Sequence, residues 1–233
     1  MTRVLVVTAH PDDVDFGAAG TVRSLVTSGA TVTYCIVTDG DAGGFDPTVP
    51  RSQIPGIRRA EQREAAAVLG VADVRFLGYR DGELTVSHDL RRDITRVIRQ
   101  VRPQRVITMS PVRNWDRIGA SHPDHMAAAE ATVQAIYPDA RNQFAHPTLM
   151  NDEGLGEWHV SELWMFGSPT PNTFVDVTDQ FEHKMAALRA HVSQTEHMAD
   201  LEGMIRGWMV DTAARGGLPE GRLAEMFHAV KTA

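Results

Sequence analysis

Short β-branched apolar runs recur along the first half of the chain, each followed by a stretch of helical length, and this alternation constrains the fold more than any other feature. The runs are Arg3 to Ala9, Thr31 to Thr38, Val74 to Leu77 and Arg105 to Ser110. Between and after them lie four helical segments: Gly17 to Ser28, stopped by Gly29; Arg58 to Leu69, closed by Gly70; His88 to Val101; and Met126 to Tyr137. Near-continuous apolar strands alternating with helices specify an α/β architecture. The expected fold is a doubly wound, mostly parallel, Rossmann-like sheet with helices on both faces. Extra strands at Ser161 to Phe166 and Thr173 to Val177 follow in the last third, with a helix over Phe181 to Val192 and two more helical stretches within Ala199 to Val230. No interdomain linker stands out, so residues 1–233 are expected to form a single domain.

Right-handed crossovers bring every strand-to-helix loop to one edge of such a sheet, where ligands bind. The loops to watch are therefore Ala9–Gly17, Asp39–Gly56, Gly78–Leu84 and Pro111–His125. Several function classes fall away. No run approaches the ~18 consecutive apolar residues of a membrane span, and Met1 to Ala9 lacks the layout of a signal peptide, so a cytoplasmic location is expected. A net charge of -7 without a basic stripe argues against nucleic acid. The single cysteine, Cys35, sits in an apolar run and reads as a core thiol; any metal must use His and carboxylate donors. The apolar last third leaves room for self-association into a homo-oligomer.

The first strand runs into Ala9-His10-Pro11-Asp12-Asp13, where a dinucleotide fold would carry a glycine-rich phosphate turn. Two adjacent carboxylates repel phosphate and attract a cation. A second His-Pro-Asp follows the fourth strand, in Ser121-His122-Pro123-Asp124-His125. Proline suits the first turn of a helix and holds the preceding His extended, so both tripeptides read as rigid strand-to-helix corners. One such corner could be a helix entry and nothing more; two at the functional edge point to a metal. Two His and one carboxylate form a known hydrolase ligand set for zinc. His10 and Asp13 would come from one corner and His125 from the other, with Asp12 placed as general base for the attacking water.

The paired motifs, His10-Pro11-Asp12-Asp13 and His122-Pro123-Asp124-His125, resemble those of the LmbE-like, or PIG-L, family of zinc-dependent N-deacetylases. The similarity extends to Thr38-Asp39-Gly40-Asp41 (with Asp41 where the family usually has Glu), Arg58-x-x-Glu61, Leu69-Gly70, Tyr79-Arg80-Asp81-Gly82, Lys184 and His191-Val192-Ser193-Gln194. The resemblance implies one zinc per chain on His10, Asp13 and His125, with iron also compatible with these donors. It implies Asp12 as base and then acid, His122 as stabiliser of the tetrahedral oxyanion and Asp124 beside it as modulator. A carboxylate there would help His122 stay protonated at a helix N-terminus. Arg58, Asp81 and Asp41 correspond to substrate contacts. The implied reaction removes an N-acetyl group from a small, amino-sugar-like molecule. Rival readings are an amidase for a larger N-acyl or thiol conjugate, and a non-catalytic zinc-binding regulator, for which Asp12 and His122 would be superfluous.

Overall fold

The computed structural model describes residues 2–232; Met1 and Ala233, which the single-domain expectation includes, lie outside it. Seven strands form a sheet in the order β3-β2-β1-β4-β5-β7-β6. Strands β1 (Arg3–Thr8), β2 (Thr31–Thr38), β3 (Asp73–Tyr79), β4 (Arg105–Met109) and β5 (Glu162–Phe166) are mutually parallel. The remaining two, β6 (Thr173–Asp176) and β7 (Ala224–Lys231), complete one side, where β7 runs antiparallel to both its neighbours. Eight helices accompany them among the described residues: α1 (Asp13–Thr27), α2 (Ile54–Leu69), α3 (His88–Val101), α4 (Pro123–Gln134), α5 (Pro147–Asn151), α6 (Phe181–Ala190), α7 (Val192–Thr195) and α8 (Leu201–Arg215).

Because β1 is flanked by β2 and β4, the strand order reverses beside it, and a crevice opens at its carboxyl end. Val4, Leu5, Val6 and Val7 are wholly buried, as expected of a central parallel strand covered on both faces. Helices α1, α2 and α6 pack together on one side, and α3 packs on α4 on the other. A second apolar cluster, including Phe181, Met185, Ile205 and Met209, joins α6 to α8. Close packing of α1 depends on two glycines: a Cβ on Gly17 would clash with the Phe166 ring of β5, and one on Gly20 would lie 2.8 Å from Val177 Cβ, just past β6.

Several boundaries differ from the sequence expectation. Helix α1 begins at Asp13 and α4 at Pro123, directly out of the two corners, while α2 gains a turn at Ile54 and shortens the long loop. At its other end α4 stops at Gln134, and a wide turn through Ala135–Ala140 holds Pro138, which lacks the N–H needed to continue the helix. The largest correction is at the end of the chain. Only one long helix, α8, forms after Ala199; residues 224–231 are strand β7. Ala, Glu, Met and Lys favour helix locally, yet Phe227 is fully buried and the segment is hydrogen-bonded between β5 and β6, so tertiary pairing overrides propensity.

Candidate active site

Thr38, at the end of β2, donates both its backbone N–H (2.8 Å) and its hydroxyl (2.9 Å) to Ala9 O, pinning the first corner. The backbone then turns through Asp12 at φ 94°, ψ −29°, in the left-handed region. A non-glycine residue pays for that conformation with roughly 1–3 kcal/mol of strain, and such strain gathers at functional sites. Neighbours hold it there. Gln62 Oε1 accepts from Asp12 N–H at 2.8 Å, and Arg58 donates to Pro11 O at 2.6 Å and to Asp12 Oδ2 at 3.0 Å. Gln62 in turn donates to Asp15 Oδ2 (2.8 Å), which also faces His191 Nε2 at 2.8 Å.

Around this corner the expected ligand trio converges. His125 Nε2 lies 3.0 Å from Asp13 Oδ1 and 3.2 Å from His10 Nδ1, and His10 Nδ1 lies 3.5 Å from Asp13 Oδ2. The opposite edge of the His10 ring faces two carboxylates, with Nε2 2.9 Å from Asp81 Oδ1 and 3.4 Å from Asp124 Oδ2. An ionised carboxylate accepts hydrogen bonds and donates none, so Nε2 carries a proton and Nδ1 presents its lone pair when the ring is neutral. His122 completes a triangle of imidazoles, its ring centroid 5.0 Å from that of His10 and 5.2 Å from that of His125.

Two further groups able to hold a cation share His10: one with His122 and His125, the other with Asp81 and Asp124. In the second group the carboxylates are already occupied by backbone donors. Asp124 accepts from Gly82 N–H (2.7 Å) and Leu84 N–H (3.3 Å), and Asp81 accepts from Ala42 N–H at 3.2 Å. Both carboxylates therefore suit an orienting shell behind His10; on its Nδ1 side Asp13 accepts from His10 N–H with Oδ2 (2.6 Å) and turns Oδ1 toward His125.

The electrostatics follow from this crowding. Burial opposes charge on His10, but hydrogen bonds to Asp124, Asp13 and Asp81 override it and raise the pKa to about 12. Burial also favours the neutral form of Asp13, yet the charge of His125 and the hydrogen bond from His10 drive its pKa far down. Asp12 is pushed the other way, up from the usual carboxylate range by burial, with Arg58 opposing and Asp13 assisting. A carboxyl raised toward neutrality is suited to taking and returning a proton.

His122 differs from expectation. Its Nδ1 accepts from Asp124 N–H at 3.1 Å, which leaves Nε2 as the protonated nitrogen of a neutral ring. Burial and the neighbouring His10 and His125 lower its pKa, outweighing the pull of Asp124 and Asp81. The Asp124 carboxylate points instead toward Gly82, Leu84 and His10. Of the residues expected to meet substrate, Arg58 is only 4% exposed and spends its guanidinium on Gly40 O, Pro11 O and Asp12. Asp81 faces His10, and Asp41 accepts from Asp81 N–H (2.9 Å) while pairing with Arg51 nearer the surface.

Gln62 was not singled out from the sequence. Its signal was present: it lies four residues after Arg58 on the buried face of α2, with Glu61 beside it. The Asp15–His191 pair, wholly buried, joins residues 176 positions apart, which no local pattern reveals.

Known proteins resemble this chain along most of its length. The sequence profile of the GlcNAc-PI de-N-acetylase family (PIG-L) matches residues 5–136. A diacetylchitobiose deacetylase of Thermococcus kodakarensis is 32% identical, covering 82% of this chain and 70% of its own. A probable N-acetyl-alpha-D-glucosaminyl L-malate deacetylase 2 of Bacillus cereus is 35% identical, covering 84% of this chain and 86% of its own. The solved structure of N,N'-diacetylchitobiose deacetylase from Pyrococcus horikoshii superposes with a TM-score of 0.89 at 30% identity, covering 98% of this chain and 84% of that one.

Proposed function

This chain belongs to the GlcNAc-PI de-N-acetylase (PIG-L) family and is an N-deacetylase, and from that we propose that it uses zinc to remove the N-acetyl group of a small, polar, amino-sugar-like substrate. The observation that carries the reading is the approach of His10 Nδ1, Asp13 and His125 Nε2 to within 3.0–3.5 Å of one another, directly beside Asp12. The donor set fits the ion: two imidazoles and one carboxylate, with a protonated Nε2 on His10 backed by carboxylates. When bound there, the ion would polarise the amide carbonyl and acidify the attacking water.

The chain's own groups supply the rest. Asp12 takes a proton from water as its oxygen bonds to the amide carbon, then returns it to the nitrogen as the C–N bond breaks, releasing acetate and a free amine. His122 donates its Nε2–H to the developing oxyanion as a neutral imidazole. Asp124 acts on both sides of this arrangement, through its N–H to His122 Nδ1 and its carboxylate behind His10. Arg58 positions Asp12, Asp81 orients His10, and Asp41 is the member of the expected substrate trio nearest the rim, where it meets substrate hydroxyls together with Arg51. The amino-sugar class rests on the relatives, whose substrates are N-acetylated sugars.

The test is release of acetate from N-acetylglucosamine and its glycosides by zinc-loaded protein. A chelator should abolish it and added zinc should restore it. Activity that survives complete metal removal would refute the reading.

A further inference from the structure

On the β5 side of the metal ligands a cavity of about 490 Å³ opens, within the range of small-molecule sites. Asp13 and His125 form part of its wall, so it reaches the reacting centre; Asp12, Arg58, Asp81 and Asp41 do not line it. Its other walls are Phe16 from α1, Phe166 at the end of β5, and Ile205 and Trp208 from α8. Five of the chain's ten methionines also line it: Met109, Met198, Met204, Met209 and Met226. Methionine is flexible and polarizable, and adapts to apolar shapes of varying length.

The polar side chains of Lys184, Glu225 and Thr212 on this wall are already used. Lys184 Nζ donates to Asp15 O, Phe16 O and Glu225 Oε1, which exhausts its three protons. Glu225 accepts in addition from Gly20 N–H and Thr21 N–H, and the Thr212 hydroxyl donates to Trp208 O. Arg117 stacks over the half-exposed Trp208 ring at 4.3 Å, at the mouth. A sugar seated in the interior would leave its hydroxyls without partners, whereas an alkyl chain would not.

The direction of the reaction says which part of the substrate this cavity faces. Asp12 hands the proton to the leaving nitrogen, so the amine lies on the side of Asp12 and Arg58, toward β2. The substituent on the carbonyl carbon then extends the opposite way, toward β5. We propose that this methionine-lined cavity is an acyl-chain site, and that the protein hydrolyses N-acyl amino sugars whose linear acyl chains are longer than acetyl as well as acetylated ones. The proposal rests on the reaction and on Asp12 as set out under the proposed function. Hydrolysis remains balanced as before: amide plus water gives the longer carboxylic acid and the same amine.

The experiment compares N-acetyl-, N-butanoyl-, N-hexanoyl- and N-octanoylglucosamine with zinc-loaded protein. Burial of each added methylene should raise kcat/KM by up to about fourfold until the cavity is filled, giving hexanoyl at least about a tenfold advantage over acetyl. Met204→Trp, which fills part of the cavity from α8, should collapse the hexanoyl-to-acetyl ratio to about one or below, with zinc content and circular dichroism as checks on folding. Turnover of acetyl substrate with none of hexanoyl would overturn the acyl site and leave the deacetylase reading standing. Turnover of none of the four would instead defeat that reading. The cavity is then judged by calorimetry on the zinc-loaded protein, as it is if Met204→Trp fails to fold. Octanoate should bind at least about tenfold more tightly than acetate, and equal affinities would overturn the proposal.

Discussion

At the residue scale, the least ordinary feature is a catalytic candidate held in a conformation that side chains avoid. Asp12 sits at φ 94° because Gln62 takes its N–H while Arg58 takes Pro11 O and its carboxylate. The sequence placed Asp12 between His10 and Asp13, since the motif is contiguous, but the backbone strain and its supports are long-range and had no local signature. His122 shows the complementary case. Its position was legible, whereas its protonation state depends on two imidazoles brought in from elsewhere and on burial. A divalent cation bound beside those imidazoles would push its pKa further in the same direction, down. Its ring is therefore neutral across neutral and alkaline pH, and deprotonation of His122 contributes no alkaline limb to activity. His122→Ala should cut kcat by about 10²–10³ while leaving the shape of the kcat–pH profile above pH 7 unchanged. An alkaline limb present in the parent protein and absent from His122→Ala would show that the imidazolium is the working form.

At the level of elements, the glycines of α1 decide how closely the helix meets the sheet. Alanine in a helix interior is ordinarily favoured over glycine by about 1 kcal/mol. At Gly20 the sign should reverse, because the new Cβ would sit 2.8 Å from Val177 Cβ, inside van der Waals contact. Gly20→Ala should lower stability by about 1–3 kcal/mol in denaturant unfolding, the usual cost of overpacking. A stabilised variant would mean that α1 can move off Val177 freely. The central strands β1, β2 and β4 were readable because they are buried on both faces and appear as nearly unbroken apolar runs. The terminal strand β7 was not, since its residues favour helix and its pairing is set by β5 and β6. The N-termini of α1 and α4 were hard to place because charged and site residues (Asp13, Asp15, Asp124 and His125) interrupt the apolar pattern in the first turn of each.

For the whole molecule, the candidate site ties together corners that are more than a hundred residues apart, Asp13 and His125 meeting at 3.0 Å. No helix among the described residues is long and apolar enough to cross a membrane. An ion held by both corners binds only the folded chain, so zinc should stabilise it by about 4 kcal/mol at a thousandfold excess over Kd. A chelator should thus lower Tm in the parent protein and shift it little in His125→Ala. Equal chelator shifts in both would remove His125 from the ligand set. The central claim, that Asp12 handles the proton beside a metal held by His10, Asp13 and His125, is tested most directly by Asp12→Asn. Asparagine tolerates the left-handed backbone and can still accept from Arg58, so the corner should persist. The measurement is kcat for acetate release alongside zinc content on the same sample. The predicted result is one zinc per chain with kcat lower by about 10²–10⁴. Near-parental turnover by fully zinc-loaded Asp12→Asn would contradict the account.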